Sequence, residues 1–279
     1  MKLRLRPSLA AGLMWGLAVR GAAIGLVLGA AMGVALPPVQ AADLPASPPC
    51  ANPVYLTIDP GHMDFAPRIA EVLRRQQVRA TYWISNQPTQ NGEGSLGNLW
   101  GGWWKLVAQQ GHEFASQTYD QVYWRGDLPG YKPSFRVKLT TGSLAGREFT
   151  YDPAKYCEQI EHAARRVEDF TGKKSLPLFH APGGATSAKL LAAASACGYA
   201  HVGFAKGTML GQGTALKAVL AGAHSGDMLL LDLSAAPGSE PWALANLDPL
   251  VQGLKERGLC FATLRQHPAF QEWIASHGG

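Results

Sequence analysis

The stretch VYLTIDPGHMDF, Val54 to Phe65, runs as a short apolar strand that ends on a carboxylate, Asp59. A Pro-Gly turn follows, then an imidazole, His62. A carboxylate and an imidazole facing each other across a tight turn are the residue types of general acid–base work and of metal ligation. Further strand-like runs also end on polar groups: Gln117 after HEFAS, His180 within LPLFHAP, Lys206 after YAHVGFA and Asp232 within DMLLLDL. In parallel α/β folds chemistry collects just past the C-terminal ends of strands. Asp59, Gln117, His180, Lys206 and Asp232 therefore form a candidate set, against the plainer reading of each as an ordinary strand-end polar residue.

The elements that would carry this set alternate along the chain. Val54–Asp59 reads as a strand, and Phe65, Ile69, Val72 and Leu73 then recur at helical spacing. RATYWIS (79–85) is a second strand, 99–110 a helix and HEFAS (112–116) a third strand. Residues 119–152, rich in Gly, Pro and aromatics, predict a long loop-rich insertion. A helix over 154–170 follows, with Asp152 placed to cap it and Pro153 in its first turn. LPLFHAP, YAHVGFA, DMLLLDL and LCFATL complete seven strands, with helices over 189–197, around 215–221 and over 243–257 between them. Strands alternating with helices predict a parallel α/β fold, either a barrel or an open sheet.

Composition narrows the function classes. The chain has 279 residues, 47% hydrophobic and only 16% charged, enough for one large domain. Lys2, Arg4 and Arg6 precede an Ala/Gly/Leu-rich run, and PPVQAAD offers small residues at signal-peptidase spacing, predicting a secretory signal over 1–41. An uncleaved anchor is the alternative. Residues 42–53 are a Pro-rich lead-in, and 54–279 the folded domain. Four of the 25 basic residues and none of the 20 acids precede Ala41, so the remainder is nearly neutral, with 21 basic against 20 acidic residues. This excludes a charge-driven nucleic-acid binder. All four cysteines follow the expected cut, which predicts two disulfides in an exported, periplasmic or secreted protein. Cys50 before the first strand and Cys260 in the last suggest one clasp; the pairing is otherwise open.

The same positions resemble the polysaccharide deacetylase (NodB-homology) family, from Val54 to about Arg265. TIDPG (57–61) resembles the family's T-F-D-D-G, and ATYW (80–83) its ATFF strand. GHEFASQTYDQ (111–121) is similar to G-H-E-x-A-S-H-T-x-x-H, and LFHAPGG (178–184) to the R-P-P-x-G strand. ACGYAHVGF, SGDMLLLDL and LKERGLCFATL resemble the three closing motifs. The resemblance implies a distorted (β/α) barrel of about seven parallel strands that removes acetyl groups from N-acetylated sugars. It further implies a metal on the motif's second Asp and two His, the first Asp as base, and a later His as acid. Carried onto this chain, the base is Asp59, but the ligand positions are Pro60, Gln117 and Gln121. The supporting Arg becomes His180 and the acid His becomes Asp232. Proline has no side-chain donor, and a neutral amide oxygen suits calcium better than zinc.

That pattern predicts a metal-free member lacking family-type deacetylation. A zinc ion lowers the pKa of bound water from 15.7 to about 7, worth roughly 12 kcal/mol at most. A general base supplies about 3–5 kcal/mol, so Asp59 alone cannot replace the ion. The expected function is then binding of an N-acetylated envelope polysaccharide or peptidoglycan, with Asp59, His180 and Asp232 on the cleft floor, or assistance to an active enzyme partner. Trp103, Trp104, Tyr123 and Trp124 are the candidate sugar-stacking residues, core packing being the simpler reading for any tryptophan. No cofactor is expected unless Asp59, His62, His180 and Asp232 form a rebuilt zinc site, which would make the protein an active carbon–nitrogen hydrolase. IDPGH also resembles zinc N-acetylmuramoyl-L-alanine amidases, with His62 as ligand and Glu71 as the possible Glu, but no segment resembles their second His motif. A scaffold that binds no glycan is the last alternative.

Overall fold

A computed structural model of the chain describes residues 50–205, 207–234 and 239–278. The expected signal peptide, most of the lead-in and Lys206 lie outside the described residues. The elements run β1 (Pro53–Asp59), α1 (Ala66–Arg75), β2 (Thr81–Ile84), α2 (Gly101–Gln109) and β3 (Glu113–Ser116), then an inserted β4 (Val122–Asp127), β5 (Phe135–Leu139) and β6 (Glu148–Tyr151). They continue with α3 (Pro153–Thr171), β7 (Leu178–Phe179), α4 (Ala188–Ala196), β8 (Ala200–His201), β9 (Met209–Leu210), α5 (Leu216–Gly222), β10 (Met228–Asp232), α6 (Trp242–Glu256), β11 (Cys260–Ala262) and α7 (Pro268–His277).

Seven parallel strands in the order β8-β7-β3-β2-β1-β10-β9 curl into a half-barrel, and β11 pairs in parallel with the start of β1. β1 is central, and six of its seven residues are buried. Alternation along it sends Val54, Leu56 and Ile58 outward under the helices and Tyr55 into the barrel. The outer layer joins Tyr82, Ile84 and Phe114 to Ile69 and Leu73 of α1, Trp104 and Val107 of α2, and Leu247, Leu250 and Leu254 of α6. The interior is filled by Trp83, Ala115, Leu178, Val202, Leu230 and Ala262. His112 belongs to this framework: buried, its Nδ1 accepts the Ala80 backbone N–H at 3.1 Å, and burial pushes its pKa down to about 4.

The structure corrects three expectations. The insertion is an antiparallel three-stranded sheet, β4-β5-β6, whose apolar face packs Val122, Phe135, Val137 and Leu139 on Tyr156 and Ile160 of α3. β9 adds a strand between YAHVGFA and DMLLLDL, and α7 follows the last predicted strand. Cys50 pairs with Cys260, clasping the two ends of the fold, and Cys157 pairs with Cys197 across α3 and α4. Among the described residues no helix is long and apolar enough to cross a membrane.

The predicted cap on α3 is formed: the Asp152 carboxylate accepts the Lys155 backbone N–H at 2.8 Å, and Gly172 ends the helix in the left-handed region. Asp152→Ala should cost about 1 kcal/mol, the usual loss when an N-cap acceptor is removed. Urea unfolding checks this as a lower midpoint with an unchanged slope.

Candidate functional site

The site forms where β1 and β10 end side by side. Their register pairs Asp59 with Asp232, which places two carboxylates on adjacent parallel strands roughly 4.8 Å apart at the backbone. The chain then turns sharply at Pro60-Gly61. Gly61 has φ +57°, and a Cβ there would meet the Ser234 backbone nitrogen at 3.1 Å. Only glycine accommodates both the left-handed backbone and that close approach. The turn brings the Gly61 N–H back onto Asp59 Oδ1 at 3.0 Å.

Asp59 is buried and takes two more donors. Gln117 Nε2 reaches Oδ2 at 3.0 Å, and Gln87 Nε2 reaches Oδ1 at 3.2 Å. Burial, and then the neighbouring Asp232 charge, push the Asp59 pKa up to about 6, while Gln117 and the Gly61 N–H pull it back. An acid titrating there is ionised at neutral pH yet close to the range that suits proton transfer. Gln121 Nε2 donates in turn to Gln117 Oε1 at 3.3 Å, and the Thr140 hydroxyl is shared between the Gln121 backbone carbonyl at 3.1 Å and Gln121 Oε1 at 3.2 Å. A continuous donor chain thus runs from Thr140 at the end of β5 through both glutamines to the carboxylate.

The backbone beneath these side chains is strained. Thr118 and Gln121 both have positive φ, 64° and 45°, as does buried Met63 at 70°. Non-glycine residues hold this region only where the surroundings enforce it, and such positions cluster at functional sites. The Ser116 hydroxyl braces the loop by accepting the Thr118 N–H at 3.1 Å, and Thr118 accepts the Val122 N–H at 2.7 Å.

The imidazoles do not join this cluster through hydrogen bonds. His62 is exposed and pairs through Nδ1 with the Pro88 carbonyl at 2.8 Å. His180 is buried, its Nδ1 on the Val202 carbonyl at 2.9 Å and its ring against Trp83, His201 and Phe204; burial lowers its pKa. Asp232, half-buried, accepts the Ser234 N–H at 2.8 Å. Glu71 pairs with Arg74 on the exposed face of α1. Among the described residues no three His, Cys, Asp or Glu side chains are grouped so as to hold a metal ion. Gln87 is the site residue that the sequence pattern missed. It stands three residues past the end of β2, beyond the strand-end positions that the pattern inspects.

Of the aromatic candidates, Tyr123 stands at the mouth. Burial, and then the charges of Asp59 and Asp232, raise its pKa, and its ring lies so close over Gly183 that a Cβ there would come within 2.5 Å. Trp124 faces the other way by strand alternation. It is half-buried against the insertion core with Nε1 on Asp127 at 3.1 Å. Trp104 corrects the expectation: α2 packs it fully into the outer core, Nε1 on the Ser95 carbonyl at 2.8 Å. Trp103 is half-buried and edge-on to Trp104, Trp100 and Tyr82.

A sequence model of the polysaccharide deacetylases matches residues 46–202. No curated protein matches the chain. Among solved structures it is similar to a peptidoglycan N-acetylglucosamine deacetylase at 19% identity and TM-score 0.57, covering 78% of this chain and 89% of that one. It is similar to Bacillus subtilis PdaA, a family 4 carbohydrate esterase, at 18% and 0.55, covering 79% and 82%. A CE4 family pseudoenzyme from Bacillus anthracis matches at 17% and 0.54, covering 77% of this chain and 65% of its own, so the chain spans about two thirds of that protein. At these identities the structural likeness speaks for the fold. The sequence match, which takes in more than half of the chain from the lead-in through β8, goes further: the chain belongs to the polysaccharide deacetylase family.

Proposed function

We propose that this protein is an exported member of the family that binds N-acetylated glycan at the Asp59–Asp232 mouth without carrying out metal-dependent deacetylation. One observation carries the reading: the Thr140–Gln121–Gln117–Asp59 donor chain runs through the positions that the family resemblance assigns to metal ligands. The residues present do not fit such an ion. Pro60 offers no donor atom, and the amide oxygens of both glutamines already take part in the network, Gln117 Oε1 accepting from Gln121 and Gln121 Oε1 lying 3.2 Å from the Thr140 hydroxyl. The nearest imidazole in sequence, His62, is turned to a backbone carbonyl. An ion would have to displace this network to gain two neutral, weakly donating oxygens.

What remains suits recognition. Asp232 and the half-buried Tyr123 stand beside Asp59, supplying a charged acceptor and an amphipathic ring of the kind that packs on sugar C–H faces. Two disulfides among four cysteines agree with an oxidising, extracytoplasmic setting. A pseudoenzyme among the similar structures supports the idea that this barrel is kept where catalysis is not. Titration calorimetry with a chito-oligosaccharide tests the reading, alongside an acetate-release assay. Saturable binding without acetate is expected, weakened about tenfold in Tyr123→Ala, the loss of one stacking contact of roughly 1.4 kcal/mol. Acetate release at family-like rates, or no binding by the parent protein, contradicts it.

A further inference from the structure

The inserted sheet has a second face. Alternation and register place Val122, Trp124, Phe135, Val137 and Leu139 against the core, so Tyr123, Arg136, Lys138 and Thr150 look outward, and Arg125 in the bulge is exposed. Register fixes their order: Tyr123 lies opposite Lys138, and Gly126, just past the bulge that carries Arg125, lies opposite Arg136. Tyr123 marks the end of this face nearest the site, one residue past the Val122–Leu139 pair that adjoins Gln121 and Thr140 of the network reaching Asp59. The cations therefore lead away from the mouth in successive rows roughly 7 Å apart. Among the described residues none of the three forms an ion pair. The acids in reach are few. Glu148 lies opposite Lys138, and Asp127 is held beneath by Trp124 and the Ser187 hydroxyl.

We infer that this face is an extension of the glycan cleft that takes a polysaccharide carrying carboxylates as well as N-acetyl groups, with Arg125, Arg136 and Lys138 meeting the carboxylates of units beyond the one at the mouth. The inference rests on the glycan-binding reading and adds the class of polymer to it. Charge complementarity is its basis: residues 42–279, with 21 basic against 20 acidic side chains, concentrate cations outside ion pairs on one sheet face that begins at the candidate site. Arginine's planar fork matches a carboxylate in two-point contact.

The test compares two oligosaccharides of matched length on the full chain: a neutral chito-oligosaccharide, and a hyaluronan fragment alternating N-acetylglucosamine with glucuronate. The hyaluronan fragment should bind more tightly at low salt and lose that advantage as salt rises. Arg125→Glu/Arg136→Glu should weaken hyaluronan about tenfold, the scale of two exposed charge contacts, while chito-oligosaccharide binding and thermal stability stay put. Equal affinity of the parent for both glycans, or an unchanged hyaluronan affinity in the variant, overturns the inference and leaves the glycan-binding reading standing. Failure of the parent to bind either glycan overturns both. A duplex DNA fragment bound more tightly than hyaluronan at the same salt assigns the face to nucleic acid and also overturns it.

Discussion

Asp59→Asn should make this protein more stable at neutral pH, by roughly 2–3 kcal/mol, while leaving its stability near pH 4 almost unchanged. Burial and the Asp232 charge lift the Asp59 pKa from its usual 3.8 to about 6. A raised carboxyl pKa means that the folded state holds its proton more tightly than the unfolded chain. The stabilisation associated with that proton is full below about pH 4 and is lost as pH rises through about 6. Two units at 1.36 kcal/mol each set the size of the effect. Asparagine keeps the shape and an acceptor oxygen without the charge; Gln117 and Gln121 can both rotate their amides, so that Gln117 accepts from the new NH2 group and donates to Gln121, which donates to the Thr140 oxygen. Buried His112 and half-buried His201, both pushed down to about 4, impose their own pH dependence, but it cancels in the difference between the two proteins. Thermal or urea unfolding from pH 4 to 8 reads the outcome. A gap that opens between pH 4 and 7 is expected; parallel curves contradict the assigned pKa. A functional carboxylate that costs stability fits the usual opposition between site and fold.

Pro60→Asp/Gln117→His/Gln121→His should gain tight zinc binding. The geometry is already close. Gln121 Nε2 and Gln117 Oε1 are 3.3 Å apart, and residue 60 directly follows Asp59, whose Oδ2 lies 3.0 Å from Gln117 Nε2. Ligands at about 2.0–2.1 Å on a tetrahedral ion are separated by roughly 3.3 Å, so side chains ending near these points can share one metal. Two imidazoles and a carboxylate are a catalytic-type donor set with an open position. Sub-micromolar affinity, about −8 kcal/mol or better, is expected by titration with a competing chelator. Stoichiometric uptake that also raises the melting temperature supports the placement of these three residues, since a ligand bound to the folded state alone stabilises it. Absence of uptake by a folded variant contradicts that placement.

Much of this is legible in the sequence. The β1 strand and its acid, the capped α3 and the Cys50–Cys260 clasp follow from local rules that the tertiary structure leaves intact. The insertion reads as a loop because its Gly, Pro and aromatic content masks a strict alternation, FRVKL, whose apolar members face α3. α7 carried its own signals, His267-Pro268 at the start and Phe270, Trp273 and Ile274 at helical spacing, but lay past the last recognised motif. The aromatic assignment fails at Trp104 because composition cannot say which face of an element meets solvent. Strand parity separates Tyr123 from Trp124 once β4 is known to be a strand. Gln87 was invisible because it reaches Asp59 from an irregular segment, where no periodicity points a side chain anywhere.

Zinc titration of the unaltered protein, followed by elemental analysis after gel filtration, puts the proposal to its most direct trial. The interlocked amides around Asp59 predict no saturable uptake at micromolar zinc and no shift in melting temperature. One tightly held ion per chain, released on Asp59→Ala or Gln117→Ala, would show that this pocket still works as a metal centre and would contradict the account.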